Sequence, residues 1–141
     1  IAPLVSELGY PVSITQMHQR LQVILADEDY HTLVACIHGQ VVGFIGARTG
    51  ARYEDDGRYG QIMALAVAPG QRRRGVGRVL MGAVEASIGE HGARVLSVVS
   101  GNQRSDAHAF YEKCGYDFTG RRYKKLPAHD AAPRPDGLGS M

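Results

Sequence analysis

The stretch from Gln61 to Ile88 limits what this chain can fold into more than any other. Gln61 to Val67 (QIMALAV) is apolar at nearly every position, so both of its faces ask for cover. A short run of that kind fits a strand in the middle of a sheet. Pro69-Gly70 ends it, Arg72-Arg73-Arg74 follow, and Gly75-Val76-Gly77 opens a segment with a different period. There Val76, Val79, Leu80, Ala83, Val84 and Ile88 fall on one face of a helix, which Gly89 and Gly92 punctuate. A buried strand that passes through a tight turn into an amphipathic helix is a unit of α/β architecture.

The flanking sequence extends that unit on both sides. Residues 1–9 read as the end of a helix stopped by Gly9 and Pro11. Ser13 and Gln16 have capping-box spacing before a helical pattern of Ile14, Met17, Leu21, Ile24 and Leu25. Thr32 to Ile37 and Val41 to Ala47 read as strands joined by a hairpin turn at His38-Gly39. Arg48 to Arg58 reads as a long polar loop. Val95 to Val99 reads as another short buried strand, and Ser105 or Asp106 can cap a helix ending near Lys113 and Gly115. Tyr116 to Thr119 and Arg122 to Leu126 look like a last hairpin around Gly120. The expected fold class is α/β (α+β), a mixed central sheet flanked by helices.

Composition closes off several alternatives. At 141 residues the chain is the size of one domain, expected over residues 1–127. The Pro- and Gly-containing tail, 128–141, lacks apolar periodicity and reads as a linker. The absence of an initiator Met leads us to expect a piece of a longer protein. A net charge of +2 argues against a nucleic-acid binder driven by overall charge. No apolar run reaches the roughly 18–20 residues that span a bilayer, so no membrane partner is expected. Two cysteines, Cys36 and Cys114, are too few for a disulfide scaffold and suit a reducing, cytoplasmic setting. No His or Cys spacing matches a metal motif, so no metal is expected.

The arginine- and glycine-rich turn carries the first chemical signal. The first turn of a helix leaves backbone N–H groups unpaired and bears a partial positive charge. A glycine-bearing entry lets an anion approach those groups, and the arginines add forked donors. Gly70 and Gly75 have the spacing of a P-loop, but Val76-Gly77 stands where Lys-Ser/Thr is required. A dinucleotide fingerprint fails at Leu80, where a third glycine belongs. Taken alone, an exposed basic turn before an ordinary helix remains an equally good reading.

The pattern Arg-x-x-Gly-x-Gly after Leu65-Ala66-Val67-Ala68-Pro69 resembles motif A of the GCN5-related N-acetyltransferases, the GNAT superfamily. Ser100-Gly101-Asn102, followed by Ala109-Phe110-Tyr111-Glu112-Lys113-Cys114-Gly115-Tyr116, resembles the same family's motif B. The likeness spans about Thr32 to Leu126. It implies the GNAT fold, with the first strand of that fold apparently missing from this chain. It also implies acetyl-CoA as co-substrate. The pantetheine arm would pair with the backbone of Leu65, Ala66 and Val67, and the pyrophosphate would meet the turn of Arg72, Arg73, Arg74, Gly75, Val76, Gly77 and Arg78. Asn102 matches a cofactor contact, and Tyr111 matches a general acid towards the departing thiolate. Without the motif around it, Tyr111 beside Phe110 reads as core packing.

The family resemblance also defines what is missing. Some members use a Glu on the central strand as a base; the matching position here is Gln61, which has no useful basicity. Glu54, Asp55 and Asp56 precede that strand and are candidates for attracting a cationic amine, though a solvated acidic loop explains them as well. Cys114 reads as a packed thiol. The implied activity is transfer of the acetyl group to a primary amine of a small molecule or peptide, by direct attack in a ternary complex. A non-catalytic acetyl-CoA-binding regulatory module is the alternative that Gln61 keeps open. A homodimer is compatible with either.

Overall fold

A computed structural model describes residues 1–99 and 105–127. The tail from 128 to 141 and Asn102 lie outside the described residues. The element order is α1 (Ala2–Glu7), α2 (Ile14–Ala26), β1 (Tyr30–Ile37), β2 (Gln40–Ala51), β3 (Arg58–Val67), a short 3-10 turn (Pro69–Gln71), α3 (Val76–Glu90), β4 (Ala93–Val98) and α4 (Ser105–Lys113). The strands form one open four-stranded sheet in the order β1-β2-β3-β4. The first two pairings are antiparallel and the third is parallel. The parallel pair requires a crossover, and α3 supplies it.

Local chemistry explains where the elements begin. Ser13 Oγ accepts from the Gln16 amide at 3.1 Å and the Ser13 amide donates to Gln16 Oε1 at 2.9 Å, the reciprocal box that starts α2. His38 (φ 50) and Gly39 (φ 77) are both left-handed, the conformation that a two-residue hairpin turn needs to match strand twist.

The core lies on the face of the sheet under α3. Ile45, Ala47 and Ile62 meet Leu80, Met81, Val84 and Ile88 there. We call this the back face. On the front face Leu4 of α1 packs with Phe44 and Ala66 in a smaller cluster. Successive residues of a strand point to opposite faces, so Ala47 and Ile62 on the back place Arg48 and Gln61 on the front.

Three expectations need correction. The polar stretch after Ala47 is not a loop from Arg48 to Arg58: β2 runs on to Ala51, β3 starts at Arg58, and the loop is residues 52–57. Thr49 is buried, its amide donates to the Asp29 carbonyl at 2.8 Å, and Gly50 lies directly under the Tyr59 ring. Ladder bonds and packing there outweigh a polar composition. The strand expected at Val95 to Val99 is not buried: among the described residues it pairs with β3 alone, and Val95 and Leu96 are exposed. Finally, 116–127 contains no strand; residues 117–127 are exposed and meet no strand to pair with among the described residues.

Candidate functional site

The site begins with one extra residue in β3. The β2–β3 register passes from Ala47↔Ile62 to Gly46↔Ala64, so Met63 has no partner and forms a bulge. The β3–β4 register ends at the same place, with Ile62↔Val98 as its last pair. Beyond it β3 continues to Val67, paired only with β2. The edge of Met63–Val67 that faces away from β2 therefore has no strand partner among the described residues. Leu65 packs towards the α3 core and Ala66 towards Leu4 and Phe44. The Val67 carbonyl accepts from Arg72 Nε at 3.3 Å.

The chain then turns sharply into α3. Arg73 (φ 63) and Gly75 (φ 82) are both left-handed, and Gly75 is the N-cap with no side-chain cap. The amides that follow it are those which a helix start leaves unpaired. The two glycines of the turn serve different ends. A Cβ at Gly75 would meet nothing within 4 Å, so its backbone angle is what requires glycine. A Cβ at Gly77 would lie 3.2 Å from Phe110 Cζ and 3.9 Å from Val67 Cγ2, so there glycine allows α4 to approach α3. Arg74 Nη1 donates to Gln71 Oε1 at 3.0 Å, and Arg78 Nη2 donates to the Lys113 carbonyl at 3.3 Å. Arg72 also faces Glu7 at 4.0 Å. The arginines thus brace the turn as well as charging it.

The second half of the site is α4. Phe110, Tyr111 and Cys114 pack against the main core. The Tyr111 ring stands edge-on to Phe110 (5.6 Å between centroids) and to Tyr116 (6.4 Å). The helix ends on left-handed Gly115 (φ 91), with the Tyr116 amide donating to the Tyr111 carbonyl at 3.0 Å and the Gly115 amide to the Glu112 carbonyl at 3.0 Å. This is a Schellman closure, and it fixes the Tyr111 backbone. Tyr116 Oη in turn donates to Glu85 Oε1 of α3 at 2.9 Å. Burial, and then the Glu85 carboxylate, push the Tyr116 phenol well above its usual range, so it remains a donor.

Sequence reasoning places Gln61 correctly on the central strand and misses its neighbour. Gln61 pairs with Arg48 on one side and with Ser97 on the other, and Arg48 pairs with Tyr30. The Arg48 guanidinium carbon lies 5.3 Å from the Tyr30 ring centroid. A β-branched or aromatic signal would have extended β2 that far; its Arg-Thr-Gly-Ala end carries neither signal strongly. The acidic loop has a local order of its own. Arg52 faces Glu54 at 3.5 Å and Asp55 at 3.4 Å, and Asp55 Oδ1 accepts from the Gly57 amide at 2.8 Å.

Known proteins resemble this chain over most of its length. A profile of the acetyltransferase (GNAT) family matches residues 4–116. An aminoalkylphosphonate N-acetyltransferase of Salmonella typhimurium is 30% identical over 101 residues, 72% of this chain and 66% of that protein. An aminoglycoside N(6')-acetyltransferase type 1 of Stenotrophomonas maltophilia is 31% identical over 119 residues, 81% of this chain and 78% of that protein. The chain therefore spans about two thirds of the first and somewhat more of the second. Among solved structures, a GNAT family acetyltransferase of Staphylococcus aureus superposes with a TM-score of 0.77 at 24% identity, covering 89% of this chain and 86% of its own. The mixed four-stranded sheet with flanking helices matches that solved structure, and the chain belongs to the GNAT family of acetyltransferases.

Proposed function

We propose that the chain is an acetyl-CoA-dependent N-acetyltransferase acting on a primary amine of a small molecule or peptide. The observation that carries this reading is the edge of Met63–Val67, which has no strand partner among the described residues beyond Ile62↔Val98, together with the uncapped start of α3. The co-substrate suits this place on physical grounds. Its amide-bearing pantetheine arm is the kind of extended chain that can add to an unpaired strand edge, here Leu65, Ala66 and Val67. Its pyrophosphate suits the amides after left-handed Gly75 and the charges of Arg72, Arg73, Arg74 and Arg78. Bound there, it supplies an activated acyl group. Asn102 completes the proposed cofactor contacts.

The remaining work falls to this chain's own residues. Tyr111 is proposed to donate a proton or a hydrogen bond to the leaving sulfur. A phenol with a pKa near 10 facing a thiol near 8.5 gives an uphill proton transfer of about 2 kcal/mol at reference values, so a stabilising hydrogen bond suffices. An acceptor with a lysine-like pKa must lose its proton at a cost of roughly 4–5 kcal/mol at pH 7. Gln61 cannot take that proton; it can hold a water that passes it to solvent. Glu54, Asp55 and Asp56, part of whose charge Arg52 offsets, are proposed to draw a cationic amine towards the loop before β3. The nitrogen then attacks directly in a ternary complex, with no acyl group on Cys36 or Cys114.

The two named relatives favour small acceptors: one acts on aminoalkylphosphonates and the other on aminoglycosides, according to their names. The deciding experiment measures thiol release from acetyl-CoA with a panel of amines, beside calorimetric binding of acetyl-CoA. Amine-dependent release is expected. Tight binding of acetyl-CoA without release on any amine would refute the enzymatic reading and favour a cofactor-sensing module. Undiminished affinity in Gly75→Glu would refute the cradle.

A further inference from the structure

Tyr30, Arg48, Gln61 and Ser97 form one row of cross-strand partners running over all four strands. The row lies on the front face, because Ala47 and Ile62 beside it are buried in the core under α3. Arg48 differs from the paired arginines among the described residues. Arg52, Arg58 and Arg72 each face a carboxylate, and Arg74 and Arg78 each donate to an oxygen. Arg48 faces no carboxylate among the described residues, and its Nε is buried without a hydrogen-bond partner. A buried guanidinium N–H without an acceptor is costly, and stacking on Tyr30 does not satisfy it.

The surface beside Arg48 has room for what would satisfy it. Two residues along β2, roughly 7 Å away by strand rise, is Gly46, paired with Ala64. A Cβ at Gly46 would meet nothing within 4 Å. Gly46 and Ala64 therefore make a low floor between Arg48 and Gln61 on one side and the Leu4–Phe44–Ala66 cluster on the other. Met63, the bulge that follows the last β3–β4 pair, adjoins that floor.

The geometry points to Arg48 as the residue that selects the acceptor, which is a small primary amine carrying an oxyanion such as a phosphonate, phosphate or carboxylate. This rests on the acetyltransferase reading above. The amine nitrogen lies over the Gly46–Ala64 floor beside the bulge, and the oxyanion accepts from the Arg48 guanidinium. A forked guanidinium suits a two- or three-oxygen anion better than a neutral hydroxyl. Arg48 forms and breaks no bond; it sets which amines are held.

The test compares 2-aminoethylphosphonate and β-alanine with ethanolamine and propylamine, in wild type, Arg48→Gln and Arg48→Lys. The wild type is expected to favour an oxyanion-bearing amine by about tenfold or more in kcat/KM, the phosphonate and carboxylate arms showing which anion is preferred. Arg48→Gln is expected to lower kcat/KM for that amine by about 10–100-fold, chiefly through KM. The acetyl-CoA Kd and the rate on propylamine should stay unchanged, and Arg48→Lys should recover part of the loss. Methylphosphonate, which has no amine, should inhibit the wild type competitively against the acceptor; that arm needs no variant. Equal wild-type rates on charged and neutral amines, or an equal loss on both in Arg48→Gln, would overturn the proposal. If acetyl-CoA binds and no amine turns over, the acetyltransferase reading fails separately. The Arg48 proposal is then read from calorimetry of 2-aminoethylphosphonate with CoA present: binding that Arg48→Gln abolishes supports it, and absent or equal binding overturns it.

Discussion

The two glycines at the start of α3 should separate under the same substitution. Gly75→Ala adds a methyl group that meets no atom within 4 Å, so its cost is conformational. At φ 82 an L-residue loses about 1–2 kcal/mol, partly offset by the roughly 0.4–1 kcal/mol that a less flexible unfolded chain returns. The net expectation is a loss of about 1 kcal/mol. With a urea slope of about 2 kcal/mol/M, the midpoint should fall by about 0.5 M. Gly75→Asn, which tolerates the left-handed region, should lose less. Gly77→Ala is the opposite case. Its backbone is helical, where Ala is favoured by up to about 1 kcal/mol, but the new carbon would lie 3.2 Å from Phe110 Cζ. The ring must yield by a few tenths of an ångström, and Phe110 is the residue before Tyr111. Gly77→Ala should keep its urea midpoint and lose kcat, while Gly75→Ala loses midpoint and acetyl-CoA affinity. Equal midpoints for Gly75→Ala and wild type would refute the conformational argument, and a Gly77→Ala variant with wild-type kcat would refute the link from Phe110 to the chemistry.

Tyr111→Phe should lower turnover by about 10²–10⁴-fold with little change in acetyl-CoA Kd; wild-type turnover would return the ring to a packing role. His31 is 7% exposed, its Nδ1 lies 2.8 Å from Ser87 Oγ, and burial, with His91 beside it, holds its pKa below 6.5. The unfolded chain therefore binds the proton first as pH falls, so urea midpoints should drop as pH falls below about 6.5. His31→Gln should flatten that dependence, and an unchanged slope would show that another group is responsible. Intact mass after mixing with acetyl-CoA alone should show no acetyl adduct on Cys36 or Cys114; an adduct on either would replace direct attack with a two-step route. With an amine acceptor of high pKa, kcat/KM should rise with pH without a limb near 6–7. Such a limb, abolished in an Asp56→Asn variant, would identify a carboxylate base.

What could be read from the sequence was what depends on short-range pattern. The capping box of Ser13 and Gln16, the turn at His38-Gly39 and the helical face from Val76 to Ile88 are each set by a few neighbouring residues. The glycine-bearing entry to α3 belongs to the same class, while its left-handed angle at Gly75 is seen only in the structure. What could not be read depends on partners distant in sequence. The continuation of β2 through Arg48 and Thr49 rests on Asp29, Tyr59 and Arg58, which no local window contains. The Met63 bulge is a mismatch of register between two strands and leaves no mark in the composition of either. Reading Arg48 to Arg58 as a loop also hides Arg48, which on a strand is the neighbour of Gln61.

The cradle and the unpaired edge beside it are linked by one connection. β3 and β4 are parallel, so the helix between them must run back over the sheet in the opposite sense. Its far end meets the start of β3, where a Cβ at Gly60 would lie 2.6 Å from Ile88 Cδ1. Its near end meets the finish of β3, with Gly77 against Val67, and Leu80 and Val76 over Gly43, the partner of Val67. Over the first half of β3 the core under α3 includes Ala93 and Val98 and clamps β4 in register. Over the second half the helix rests on β2 at Gly43, and Met63 bulges β3 at the boundary, level with the last β3–β4 pair. The positive end of α3 therefore lies beside the stretch of β3 whose outer edge has no strand partner among the described residues. An anionic tail and an extended polar arm on the same molecule can then use both, which is the general reason that ligands of such folds gather at the carboxyl ends of their strands.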